Sequence, residues 1–365
     1  MISEGKAVLA IKQAKIVSKA LPVFYNPIMK LQRDLCVLLV KALGRKFSVA
    51  DILAGSGIRS IRLWLEARSS VKELHINEGS RTAFNSIKKH LTLNKIKSDK
   101  TVVSCKEASR FLLESSGFDF IDIDPFGSPN AFIDAAVKRL SRNGILALTA
   151  TDTAALAGSS PKACVRKYWS LPLRNHFMHE TGLRILTRKA QLAGAQYEKA
   201  LTPVFCHSTA HYSRVYLRCE KGRKKVDNIF KHHGFVLFCP KCFETFTSRQ
   251  NFGSCCGKPM KVAGPLWLGQ LWDCNLVNKM LKMSSGEAKN LLGIISKECR
   301  IPQVGFYDWY RVCSLLGRSV PKRESIFSLF RKKGFAVSPT HFSSQGLRTT
   351  APLSLLKRFL GKHLP

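Results

Sequence analysis

Asp124-Pro125-Phe126-Gly127-Ser128-Pro129 lies between an apolar run, Phe118 to Ile123, and a helical spacing of apolar residues from Ala131 to Leu140. A strand that ends this way sets a carboxylate, a Pro-constrained backbone and a ring at the carboxyl edge of a sheet, where open α/β folds bind ligands. The carboxylate of Asp124 can accept one N–H of an exocyclic amine while a carbonyl of the same turn accepts another. That pulls a conjugated nitrogen toward pyramidal geometry and gives its proton somewhere to go. Phe126 offers a stacking face for a base taken out of its helix. The plain alternative is an Asp-Pro turn with a local cap, but the strand–turn–helix placement favours chemistry. Asp122 points to the opposite side of the strand from Ile121 and Ile123, and a supporting role is as consistent with it as a structural one.

A second group is Asp51-Ile52-Leu53-Ala54-Gly55-Ser56-Gly57-Ile58-Arg59-Ser60. Gly55 and Gly57 let the backbone approach a ligand, and a helix N-terminus after them favours a carboxylate or phosphate. Such a turn alone is a weak signal. It gains weight from lying in a first βα turn, with an acid, Glu78, roughly 20 residues on, where ribose hydroxyls are bound. Arg59 could pair with a ligand carboxylate, or be a solvated first-turn arginine. Glu107, by itself, is a helix-capping acid.

The elements that must position these residues alternate from Ser48 to Thr149. Residues 48–53, 72–76, 101–104, 118–123 and 145–149 read as strands, and 58–67, 81–93, 108–113 and 131–140 as helices. This predicts an α/β fold with a parallel sheet covered on both faces. Residues 201–206 and 214–219 would add a closing hairpin. A dinucleotide-binding fold would give much the same pattern. Residues 221–231 read as a basic linker, 238–261 hold a cysteine cluster, and helices are expected at 277–283, 287–298, 306–316 and 323–333, with a last strand near 335–337. The boundaries follow as 1–222, 223–272 and 273–365, the last a smaller, mainly helical α+β domain of winged-helix character.

The 365 residues carry 59 Lys+Arg against 24 Asp+Glu, a net charge of +35 spread along the whole chain. That self-repulsion is best explained by a polyanionic partner. Basic runs at Arg223-Lys224-Lys225, Lys231-His232-His233 and Arg331-Lys332-Lys333, together with Arg348, are candidates to track phosphates. With 45% hydrophobic residues the composition is that of a folded chain. No strongly amphipathic basic helix suggests a membrane surface, and no apolar run could span a bilayer. The N-terminal segment is interrupted by Glu4, Lys6, Lys12, Lys15 and Lys19, unlike a signal peptide. A cytoplasmic location is expected, and with it mostly reduced thiols.

Four blocks, Phe24-Tyr25-Asn26-Pro27 with Gln32-Arg33-Asp34, Ala54 to Arg59, Asp122 to Pro129 and Thr149 to Asp152, together resemble the tRNA guanine-26 N2-dimethyltransferase family. Pro172-Leu173-Arg174, His179 to Leu186, Gly264 to Gly269 and Thr340-His341-Phe342 extend the resemblance along nearly the whole chain, and its compactness is that of an archaeal-type member. It implies a class I (Rossmann-like) methyltransferase domain, S-adenosylmethionine as donor, tRNA as partner and two transfers to one guanine nitrogen. It further implies that Arg33, Arg59, Glu78, Glu107 and Ala108 contact the cofactor, the last two at its adenine, with Asp124 catalytic. Arg33 by itself reads as a surface residue. Gln32 replaces the usual Asn, and Glu78 a frequent Asp. Other readings are an amino-methyltransferase with a different RNA or DNA target, or an RNA-binding relative with a decayed domain.

Eight of the 12 cysteines, Cys274 and Cys299 among them, stand singly and read as small core residues. Cys239-Pro240-Lys241-Cys242 is a metal-type knuckle. Its expected second half is Cys255-Cys256, adjacent where many family members have Cys-x-x-Cys. Four thiolates can surround a structural Zn²⁺. Alternatively His232 or His233 completes a three-cysteine site, or no metal binds.

Overall fold

Strands buried on both faces need partners on both sides, and here they find them in one central sheet. The computed structural model describes residues 1–11, 21–97, 99–209 and 211–362. The Lys12, Lys15 and Lys19 of the N-terminal reading lie outside them. A hairpin of β1 (Ile2–Glu4) and β2 (Ala7–Leu9) comes first, then α1 (Lys30–Ala42). Alternation follows through β3 (Phe47–Asp51), α2 (Ile58–Glu66), β4 (Val71–Asn77), α3 (Arg81–Leu93), β5 (Thr101–Ser104) and α4 (Ala108–Leu113). It continues with β6 (Phe118–Ile123), α5 (Asn130–Arg139), β7 (Leu140–Ala150), α6 (Thr153–Leu156), α7 (Pro161–Tyr168) and α8 (Met178–Ala195). A hairpin of β8 (Lys199–Thr209) and β9 (Tyr212–Lys221) closes the sheet.

The strand order is β5-β4-β3-β6-β7-β9-β8, with β3 to β7 parallel and β9 antiparallel to both neighbours. That antiparallel strand departs from an all-parallel dinucleotide sheet. The chain runs outward from β3 to β5 and then returns to its other side as β6. Loops leaving β3 and β6 therefore diverge, opening a crevice at their carboxyl ends.

The sequence reading places β5, β6, α3 and α4 to the residue, and other boundaries move by a few positions. Several helices escaped it, and two of them show why. In α8 every residue from Glu180 to Thr187 is buried, so no polar face betrays the helical period. The supposed linker at 221–231 is also helical: α9 spans Arg223–Phe230 and buries Val226 and Ile229 one turn apart beneath its basic run.

Beyond α9, β10 (His233–Phe238), β11 (Thr245–Ser248), β12 (Ser254–Cys255), β13 (Lys258–Pro259) and β14 (Lys261–Trp267) form a three-stranded sheet, β11-β10-β14, and a small hairpin, β12-β13. Next come α10 (Cys274–Lys282), α11 (Gly286–Glu298), β15 (Tyr307–Asp308), α12 (Trp309–Leu315), α13 (Arg323–Lys332), β16 (Val337–Thr340), β17 (Ser343–Thr349) and α14 (Leu353–Lys362). The helix expected from 306 starts three residues later, because Tyr307 and Asp308 pair with β17 and Asp308 caps α12. The strand expected near 335–337 is a hairpin that continues to Thr349, and α14 was not foreseen. Cys274 and Cys299 are not independent core residues; a disulfide joins the start of α10 to the end of α11.

Arg348 also corrects its sequence reading. It is fully buried, not a phosphate-tracking surface residue. Its guanidinium bridges Glu180 of α8 at 2.5 Å and Glu298 of α11 at 3.0 Å. Glu180 also pairs with Arg184 at 2.8 Å and accepts the Gly305 N–H at 2.9 Å, while Glu298 meets His341 Nδ1 at 2.7 Å. Removing one member of such a buried set strands the others. Arg348→Met should therefore cost about 3–5 kcal/mol in denaturant unfolding, and a loss below 1 kcal/mol would show the set to be dispensable.

Candidate active site

Backbone conformation explains why the turn after β3 needs its glycines. Gly55 and Gly57 take φ +58° and +76°, in the left-handed region. A Cβ on Gly55 would lie 3.1 Å from the Phe24 carbonyl, and one on Gly57 would lie 3.2 Å from Ile87. Gly57 starts α2 without a side-chain cap, so the first N–H groups of the helix stay available to an anion. At the end of β4, Glu78 accepts the N–H of Gly55 at 2.7 Å and of Ser80 at 3.0 Å. This orients its carboxylate along the crevice. Each oxygen keeps a second acceptor site for a hydroxyl.

On the other side of the crevice a charge cluster supports the turn after β6. Asp122, wholly buried in β6, pairs with Arg214 of β9 and, at 3.3 Å, with Arg59 Nε. Arg59 Nη2 reaches Asp124 and also donates to Gln32 Oε1 at 2.7 Å. Thr149 Oγ1 accepts from Gln32 Nε2 at 2.8 Å and from Arg214 at 2.7 Å. Arg59 Nη1 is buried and has no partner among the described residues. Burial opposes the charge on Asp124, but Arg59 and Arg214 outweigh it and hold the carboxyl below its usual range. Burial, reinforced by Asp122, pushes Asp51 at the end of β3 the other way, up to about 7. Asp122 thus anchors both arginines.

The third wall comes from the N-terminal segment. Glu4 of β1 accepts from Arg33 at 2.7 and 2.5 Å, from Arg62 at 2.9 Å and from the Tyr25 hydroxyl at 3.0 Å. Arg33 is accordingly buried, not a surface residue. Burial works against the Glu4 charge, yet Arg33 and Arg62 draw its pKa down to about 2. Phe24 meets Phe126 edge to face, with ring centroids 4.5 Å apart, and Phe126 stays 54% exposed. Gly127 exchanges hydrogen bonds with Thr151 at the end of β7, fixing the turn.

A single cavity of about 820 Å³ joins the three walls; Arg33, Gly55, Arg59, Glu78, Asp124 and Phe126 all border it. Glu107 and Ala108 do not border it. Glu107 caps α4, accepting the N–H groups of Ser109 and Arg110 at 2.9 and 2.8 Å. Sequence reasoning missed Arg214 and Glu4. Arg214 is a charge inside an apolar alternation, which must be paired if buried, and that was the available signal; Glu4, between Ser3 and Gly5, offered none.

The family model for N2,N2-dimethylguanosine tRNA methyltransferases matches residues 5–360. The chain belongs to that family. Among its relatives, the tRNA (guanine(26)-N(2))-dimethyltransferase of Methanothermobacter thermautotrophicus is 37% identical, covering 100% of this chain and 99% of that protein. The tRNA (guanine(26)-N(2)/guanine(27)-N(2))-dimethyltransferase of Aquifex aeolicus is 39% identical over 96% of this chain and 92% of its own length. The structure of Trm1 from Pyrococcus horikoshii with S-adenosyl-L-methionine superposes with a TM-score of 0.89 at 34% identity, covering 98% of both chains. The fold expectation, a Rossmann-like methyltransferase sheet with a smaller C-terminal α+β part, therefore holds. Among the described residues no helix is long and apolar enough to cross a membrane.

Outside the cavity, Cys239, Cys242, Cys255 and Cys256 place their sulfurs within 4.8 Å of one another. Tetrahedral Zn–S bonds of 2.3 Å require sulfurs about 3.8 Å apart. The Cys242–Cys255 and Cys255–Cys256 separations are 3.5 and 3.8 Å. Adjacent cysteines can share this site because Cys256 and Gly257, both at positive φ, form the two-residue turn between β12 and β13. The turn swings the second thiol back toward the first. The four-cysteine group contains neither His232, which contacts the Asn228 carbonyl, nor His233, which contacts Gln191. These residues can hold one structural zinc.

Metal analysis should find one zinc per chain, and a chelator should lower the thermal midpoint; zinc-free protein indifferent to chelator would contradict the site. Glu4 has the opposite of a hidden acid's behaviour. Its folded pKa lies below the ordinary 4.5, so its stabilisation is complete above that pH and is lost as pH falls toward 2. Glu4→Gln should lower stability at pH 7 and flatten this acid-side decline, as urea midpoints across pH would reveal.

Proposed function

We propose that this chain transfers one or two methyl groups from S-adenosyl-L-methionine to the exocyclic N2 of guanine 26 in tRNA. The observation that carries the reading is that one cavity joins the anchored carboxylate of Glu78 to the Asp124-Pro125-Phe126 turn. The donor supplies an electrophilic methyl group on its sulfonium. The unpartnered Arg59 Nη1 and the uncapped start of α2 suit its carboxylate. Glu78 receives the ribose hydroxyls, Gly55 keeps a side chain out of the way, and Gly57, which does not border the cavity, lets α2 approach Ile87 of α3. Arg33 holds the N-terminal wall through Glu4 and borders the same space. Glu107 and Ala108, at the start of α4 beyond β5, serve the adenine end.

Asp124 needs no raised pKa for its part. The nitrogen of guanine N2 becomes a strong acid as its lone pair bonds to the incoming carbon, so a weak base suffices to remove the proton. Its firm negative charge, held by Arg59, instead orients the N–H and favours the developing positive charge. Phe126, braced by Phe24, is the surface on which a base leaving its helix settles. Exposed runs at Arg223-Lys224-Lys225 and Arg331-Lys332-Lys333 supply phosphate contacts.

Labelled donor should transfer methyl into a tRNA transcript with guanine at position 26 and not into one with adenine there. Equal incorporation into both would refute the assignment. Asp124→Asn should lower turnover by roughly 10²–10⁴-fold while leaving tRNA affinity within a few fold. A parallel loss of both would make Asp124 a structural residue.

A further inference from the structure

Trp169 is out of place on two independent counts. It follows the last residue of α7 with φ +54°, the left-handed conformation. That position favours glycine, and a bulky side chain there is strained. Burial does not compensate, since the side chain is 57% exposed. Strain of this kind persists where the surroundings impose it, and it clusters at functional sites.

The surroundings are cationic. Lys189 Nζ of α8 lies 3.1 Å from the centre of the indole ring, and Arg188 Nη1 donates to the Trp169 carbonyl at 3.4 Å. Lys162 and Arg166 of α7 and Arg174 after it are exposed, and so are the apolar side chains of Val165 and Leu171. From Thr153 to Tyr197 the chain has one acid, Glu180, which is buried and already paired. The nearest acid in sequence, Asp152, is paired with Lys167, and an exposed ring among the remaining cations suits a ligand that brings both flat bases and negative charge.

This surface is also tied to the catalytic turn. The hydroxyl of Tyr168 donates to Asp152 at 2.7 Å and lies 3.1 Å from Ser128 Oγ. Asn130 Nδ2 donates to the Lys167 carbonyl at 2.7 Å. Ser128 and Asn130 follow directly on Asp124-Pro125-Phe126-Gly127, so Trp169 is held in a fixed relation to the reacting base.

We propose that Trp169, backed by Lys189, is a stacking platform for a tRNA nucleotide flanking the methylated guanine, with Lys162, Arg166 and Arg188 on its phosphates. The proposal rests on the tRNA reading above. Extracting one base leaves its neighbour with an uncovered face, and an indole ring restores the lost stacking partner.

Trp169→Gly is an informative variant because glycine relieves the φ strain. It should keep or raise the thermal midpoint and leave S-adenosyl-L-methionine affinity unchanged. Its tRNA Kd at fixed salt should rise roughly five- to hundredfold, with a matching rise in KM and little change in kcat at saturating tRNA. Trp169→Phe should restore most of the affinity. Arg166→Gln should reduce the slope of log Kd against log salt by about one. Unchanged tRNA Kd in Trp169→Gly overturns the proposal. So does a shift in sedimentation without loss of tRNA affinity, which would mark a protein contact. Failure of the tRNA reading itself looks different: the unaltered chain would bind no tRNA and transfer no methyl.

Discussion

Asp122 is a carboxylate inside a parallel strand, with no access to water, and much of the molecule answers to it. A buried charge must be matched, and the matching groups come from far apart: Arg59 from α2 and Arg214 from β9. Gln32 of α1 and Thr149 of β7 complete the hydrogen bonding. Five elements are thus pinned to one another by polar bonds of fixed direction, where apolar packing alone would tolerate sliding. The cluster also sets its own balance. Two arginines face Asp122 and Asp124, while the third acid, Asp51, is pushed up to about 7 by burial and by its acidic neighbour. The carboxylate at the cavity stays charged because Arg59 and Arg214 outweigh its burial.

How much of this could be read from the chain depended on whether the signal was local. Asp124, Gly55 and Glu78 announce themselves because each sits just beyond a strand end with a distinctive neighbour. Their common cavity follows from strand order, which alternation already implies. Arg214, Glu4 and Arg348 gave no such sign. Their partners lie 92, 29 and 168 residues away, and pairing over such distances has no periodicity. The helix α8 was hidden by being buried all round, and the basic face of α9 resembled a linker because its two buried residues are few. Cys274 and Cys299 looked solitary since 25 residues separate them.

The cysteine cluster shows the converse, a local detail that looked like a defect and is resolved by backbone geometry. Adjacent side chains on a strand point to opposite faces. Placing Cys256 with Gly257 in a left-handed turn cancels that rule, and both thiols reach the same point as Cys239 and Cys242. Spacing rules for metal knuckles are thus rules about turns, and a different turn permits a different spacing.

The long reach of the Asp122 pairing has a consequence for biosynthesis. On the ribosome, Asp122 emerges about 90 residues before Arg214, several seconds at ordinary elongation rates. During that interval β6 carries a charge that only Arg59 can meet, and the sheet lacks the antiparallel strand that joins β7 to β8. The glycine turn, Glu78 and the N-terminal wall have all been synthesised by then, yet the second cation of the Asp122 cluster has not. The nascent chain therefore holds every charge that borders its pocket before it holds Arg214, the cation that completes their pairing, and the final antiparallel strand acts as the keystone.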